Sequence, residues 1–85
     1  MCGYSTERIE VAGSAKGPAG WFPLRLVTVY YDHPQHTAAD HTLNIDLLNP
    51  DLGPSTRVAV ELSEPSARAL AAAIHTALAA AKDPS

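Results

Sequence analysis

The stretch WFPLRLVTVYY, residues 21–31, decides the fold of this 85-residue chain. Its β-branched and aromatic residues favour a strand, and apolar residues at both alternating sets of positions indicate that each face is partly covered. Pro23 cannot donate a backbone hydrogen bond, so we expect strand pairing to begin after it. A strand of this kind needs neighbours, and the flanking sequence supplies them.

Three further segments alternate between apolar and polar residues, which predicts strands over residues 4–12, 42–48 and 57–62. Three glycines and one proline within residues 13–20 predict a loop. Residues 49–54, NPDLGP, are typical of a compact turn. All three connections are short enough for antiparallel neighbours, so the sequence predicts a meander sheet.

One helix follows the last strand. Ser63 is placed as its N-cap, Glu64 and Pro65 suit the first turn, and the helix should reach about Lys82. Its apolar stripe consists of Ala67, Leu70, Ala71, Ile74, Ala77, Leu78 and Ala81. The predicted fold class is α+β, a four-stranded antiparallel meander sheet with one C-terminal helix packed on one face, in a single domain over residues 1–85.

The composition narrows the classes of partner. The six basic residues are scattered and the net charge is −3, so a nucleic-acid partner is not expected. The chain carries no signal-like start and no apolar run of membrane-spanning length, so a membrane partner is not expected either. Cys2 is the single cysteine, which excludes a disulfide within the chain and favours a cytoplasmic location.

The second strand predicts self-association. A single helix covers one face of a sheet, yet this strand is apolar on both faces, and Leu26 and Tyr30 would meet water in a monomer. A short chain without disulfides also gains stability from a partner subunit. The sequence therefore predicts a homodimer, with a small-molecule ligand as a further partner.

The first candidate site is the segment between the second and third strands. His33, His36 and His41 have the spacing H-x2-H-x4-H, and Asp32 and Asp40 flank them. Imidazoles with carboxylates suit a divalent transition metal such as zinc, copper, nickel or iron. These residues predict a small metal-binding protein that could also be a metal-dependent enzyme. The alternative is a polar loop with solvated histidines.

The second candidate site is the side of the sheet away from the helix. Asp46 and Glu61 could serve there as acid and base, and Tyr30 could stabilise a developing oxyanion. This interpretation is a metal-free enzyme or ligand-binding protein with a pocket at a dimer cleft. The alternative is a solvated face on which Arg8 and Arg57 neutralise the acidic side chains. A third interpretation is a non-catalytic protein-interaction module.

Several phrases carry a resemblance. They are the Met1-Cys2 start, residues 21–24 (WFPL), 32–34 (DHP), 41–46 (HTLNID) and 57–62 (RVAVEL). Together they resemble a short uncharacterised actinobacterial protein family, over nearly the whole chain. The resemblance implies no particular activity and no functional residues.

Overall fold

The computed structural model describes residues 5–32 and 41–81. The elements in these ranges are β1 (Thr6–Gly17), β2 (Gly20–Asp32), β3 (Thr42–Leu48), a 3₁₀ turn (Pro50–Leu52), β4 (Arg57–Leu62) and α1 (Glu64–Ala81). The strands pair antiparallel in one sheet, in the order β1-β2-β3-β4. The predicted α+β class, an antiparallel meander followed by one helix, is confirmed.

The hairpin between β1 and β2 is longer than predicted. Gly17 pairs with Gly20, so only two residues remain in the turn, and Pro23 pairs with Ser14 inside the ladder. Gly20 has a φ of 115°, a conformation that glycine adopts without steric cost. The prediction of a loop over residues 13–20 is wrong because a tight turn at Gly20 lets both strands continue. The expectation that pairing begins after Pro23 is wrong for the same reason.

The strand register sorts side chains onto two faces, because neighbours along a strand point to opposite sides. Val29 lies opposite Ile45, which lies opposite Val60. The apolar face, as we call this side, consists of Ile9, Val27, Val29, Tyr31, Leu43, Ile45, Leu47, Val58, Val60 and Leu62, together with Glu7. The polar face carries Arg8, Thr28, Tyr30, Asn44, Asp46, Ala59 and Glu61.

The start of α1 is held by its cap, as the sequence predicts. The backbone N–H of Ser66 donates to Ser63 Oγ at 3.3 Å, and the N–H of Ala67 donates to the Ser63 carbonyl at 2.9 Å. Arg68 donates to Glu64 Oε2 one turn away, at 2.8 Å from Nη2. The predicted end of the helix at Lys82 lies outside the described residues.

Little of the chain is buried. Among the described residues, Phe22 is the only buried hydrophobic side chain, at 8% exposure. Side chains of the apolar face are mostly half-buried, and in α1 every residue except Ala67 is exposed. The helix contacts the sheet chiefly at β3. It therefore begins beside the sheet and leaves most of the apolar face uncovered.

Candidate functional site

The predicted metal site does not form in the described part of the chain. Within residues 5–32 and 41–81, no group of three or more His, Cys, Asp or Glu side chains could hold a metal ion. Transition-metal sites need three or four converging donors. The predicted metal-binding function is therefore wrong. Of its five proposed ligands, His33, His36 and Asp40 lie outside the described residues.

The two described members of that set are directed apart. The ring of His41 stacks on Tyr31, with ring centroids 5.7 Å apart and an interplanar angle of 15°. Asp32 follows Tyr31 directly in β2, so strand alternation places it on the other face of the sheet. An imidazole and a carboxylate on opposite faces cannot share one ion, which is the physical reason for the correction.

The three predicted catalytic residues do share a face. Tyr30 lies opposite Asn44, and Asn44 lies opposite Glu61, so these residues form one row across the polar face. Asp46 is two positions further along β3 and points to the same side. Roles for Tyr30, Asp46 and Glu61 in catalysis stay a prediction, because shared placement does not itself define a reaction.

Asp46 already has an ion-pair partner. Its Oδ1 accepts hydrogen bonds from Arg57 Nε at 3.0 Å and from Arg57 Nη2 at 2.8 Å. Asp46 in β3 lies opposite Ala59 in β4, and Arg57 is two residues before Ala59. The two side chains are therefore diagonal neighbours on the same face. This ion pair is the arrangement expected for a face on which arginines neutralise acidic side chains.

A buried polar pair that includes Asn44 of this row was missed from the sequence. Thr42 Oγ1 donates to Asn44 Oδ1 at 2.8 Å, and the two residues are 0% and 6% exposed. A threonine and an asparagine at alternating strand positions are more often solvated. The signal in the sequence was their i, i+2 spacing, which puts both side chains on one face.

A cleft lies between the start of α1 and the sheet, with a volume of about 630 Å³. Its lining includes Val29, Tyr31 and Leu43 from the sheet and Ala67, Arg68 and Ala71 from the helix. Glu7 and Glu64 add carboxylates to these largely apolar walls. This volume falls in the range of small-molecule sites. Sequence reasoning missed the cleft because it placed the helix flat against this face.

The chain also matches one family model. The whole chain, residues 1–85, matches a family of unknown function, DUF6295, and the chain belongs to that family. The predicted membership of an uncharacterised family is thereby confirmed, while the match does not address an actinobacterial origin. No curated protein and no solved structure matches the chain significantly.

The described ranges contain no helix that is both long enough and apolar enough to cross a membrane. The cytoplasmic location stays a prediction.

Proposed function

We propose that this chain is a homodimer-forming domain, in which a second copy covers the apolar face and the stripe of α1. The observation that carries the proposal is the exposure of the stripe: Leu70, Ile74 and Leu78 are 42%, 51% and 60% exposed. Ile9 on the apolar face is 53% exposed. Leu70, Ile74 and Leu78 lie on one side of α1, and an exposed apolar patch of this kind marks an interaction site.

The accessible surface of the chain is large for its mass. A compact monomer of 9.0 kDa has an accessible surface of about 4,900 Å² by the usual scaling. The chain has 6383 Å². The excess is about 1,500 Å², which is comparable to the area that each subunit contributes to obligate homodimer interfaces of about 2,000–5,000 Å² in total. A second copy is therefore the occupant that the area favours.

Charge substitution on the helix tests the dimer. Ile74→Glu places a carboxylate in the stripe, whereas Thr76→Glu places the same group on the opposite side of the same exposed helix. Burial of an unpaired charge costs about 3–5 kcal/mol, so Ile74→Glu should weaken the dimer at least about 100-fold. Thr76→Glu should leave its dissociation constant almost unchanged.

Sedimentation velocity over a wide range of concentration measures the outcome. A dimeric wild type with selective dissociation of the Ile74→Glu variant supports the proposal. A wild type that is monomeric at every concentration overturns it, as does an equal effect of both substitutions. Circular dichroism shows whether each variant keeps its helix and sheet.

The cleft supports a second candidate function, the binding of a small organic ammonium ion with an apolar group. Three charged side chains line the cleft, and two of them, Glu64 and Arg68, neutralise each other at 2.8 Å. Glu7 lies opposite Val29 and has no ion pair or side-chain hydrogen bond within residues 5–32 and 41–81. The net charge of the cleft is thus −1 beside apolar walls, which complements an amine on a hydrocarbon body.

Titration with phenethylamine, followed by NMR chemical shifts, tests this candidate. Glu7→Gln removes the charge and keeps the shape, so it should weaken amine binding about two- to fivefold, a typical effect of losing one exposed ionic contact. Glu10→Gln makes the same change on the same strand, on the other side, and should have no effect. The neutral analogue phenethyl alcohol should bind both variants and the wild type equally.

Two results would refute the ammonium site. One is phenethylamine binding that is no tighter than that of phenethyl alcohol. The other is a Glu7→Gln variant that binds the amine as tightly as the wild type. If that variant also aggregates, Glu7 is instead a charge that protects the edge strand β1 from pairing with other sheets.

A further inference from the structure

The connection between sheet and helix is unusually short. β4 ends at Leu62 and α1 begins at Glu64, so Ser63 alone joins them. Ser63 is already committed to the helix, since its Oγ and its carbonyl accept hydrogen bonds from the first turn. Connections between strands and helices usually have about 2–6 residues. In this structure only the first two turns of the helix, through Ala71, approach the sheet, and the later turns do not lie back along it.

The exposure along α1 follows from this constraint. Ala67 is the one half-buried residue of the helix, and it lies in the first turn. Residues 68–81 are all exposed, although the stripe continues through Leu78. Most of the stability of a helix in a protein comes from packing of its apolar side rather than from helix propensity, and this holds for the 18 residues of α1 as well. Its later turns need an apolar surface that this chain's own sheet does not offer them.

We infer that the two copies of the dimer exchange helices: the stripe of α1 in one chain packs on the apolar face of its partner, and the partner's helix packs on the first chain in return. This inference rests on the proposed dimer and adds its geometry. The stripe of α1 and the apolar face of the sheet are both incompletely covered. Within one chain, the short connection at Ser63 keeps them apart. Reciprocal exchange is a low-cost route to a two-fold dimer, and short hinges favour it.

Lengthening the hinge tests the inference. Insertion of Gly-Ser-Gly-Ser between Leu62 and Ser63 keeps the N-cap and frees the helix to fold back onto its own sheet. The expected result is conversion of the dimer to a monomer with unchanged helix content. The same insertion between Pro18 and Ala19, in the exposed hairpin turn, is the matched control and should leave a dimer. A dimer that persists after the hinge insertion overturns helix exchange.

A second measurement uses the unmodified chain and so does not depend on the folding of a variant. Dimers are formed from equal amounts of ¹³C-labelled and unlabelled chains, and isotope-filtered NOEs are recorded. Helix exchange predicts intermolecular NOEs from the methyl groups of Ile74 and Leu78 to those of Val58 and Val60. Intermolecular NOEs only between the two helices would overturn exchange but leave the dimer intact, whereas a monomeric wild type would overturn the dimer itself.

Discussion

Asn49 connects two strands at a point where the sheet ladder ends. β3 pairs with β2 only as far as Leu48. The next side chain continues the contact, because Asn49 Nδ2 donates to the Pro23 carbonyl at 2.9 Å and Asn49 Oδ1 accepts from the N–H of Asp51 at 3.0 Å. Asn49 is 4% exposed. One buried side chain thus links β2, at Pro23, to the 3₁₀ turn.

Replacement of Asn49 by alanine should be costly. Asn49→Ala leaves the Pro23 carbonyl and the Asp51 N–H without these partners, so the free energy of unfolding should fall by about 1–3 kcal/mol. Urea denaturation followed by circular dichroism measures the change. Asp51→Asn alters an 80% exposed side chain in the same turn and should change stability by less than about 0.5 kcal/mol. Equal stability of Asn49→Ala and wild type would contradict the assigned role.

The Asp46–Arg57 pair should contribute little to stability. Its side chains are 17% and 49% exposed, so solvent screens much of the attraction. Asp46→Asn should lower the free energy of unfolding by no more than about 1 kcal/mol, and added salt should reduce the difference. A double-mutant cycle with Arg57→Gln measures the pair. A loss well above this value would instead indicate an ion pair on which the sheet depends.

At the scale of elements, alternation in the sequence was sufficient to predict the sheet faces. Leu43, Ile45 and Val60 share the apolar face as their spacing implies. The extension of β1 and β2 up to their tight turn was missed, because glycine and proline favour turns locally. The φ of Gly20, by contrast, depends on pairing between the two strands. The stripe of α1 was also predictable, but periodicity says only which side of a helix is apolar and not what covers it. The cleft was missed for that reason.

Two glycines allow a test of this account of the hairpin. Gly20 has a φ of 115° and Gly13 has no positive φ, although a Cβ at either position would meet no atom within 4 Å. Gly20→Ala should therefore destabilise by about 1–3 kcal/mol through backbone strain alone. Gly13→Ala should be neutral or stabilising, by up to about 1 kcal/mol. Thermal unfolding of the two variants compares them, and a reversed order would refute the strained turn.

The whole molecule is extended for its length. Its Cα radius of gyration is 14.6 Å, whereas a compact chain of 85 residues has about 12 Å. One thin sheet and one helix with little contact bury little apolar surface, so a single chain has a thin margin over the entropy cost of ordering it. Stability and assembly should therefore be coupled, so that unfolding and dissociation occur together.

This coupling predicts a melting temperature that rises with protein concentration. When a dimer unfolds to two separate chains, each tenfold increase in concentration stabilises it by about 1.4 kcal/mol. The unfolding entropy of two 85-residue chains is about 0.36 kcal/mol/K, from about 2.1 cal/mol/K per residue, so Tm should rise by about 4 °C per tenfold increase. Calorimetry at several concentrations measures this slope. Ile74→Glu weakens the dimer, so it should melt at a lower temperature than the wild type at every concentration. A wild type whose Tm is constant would show that the single chain is stable with its apolar face in water.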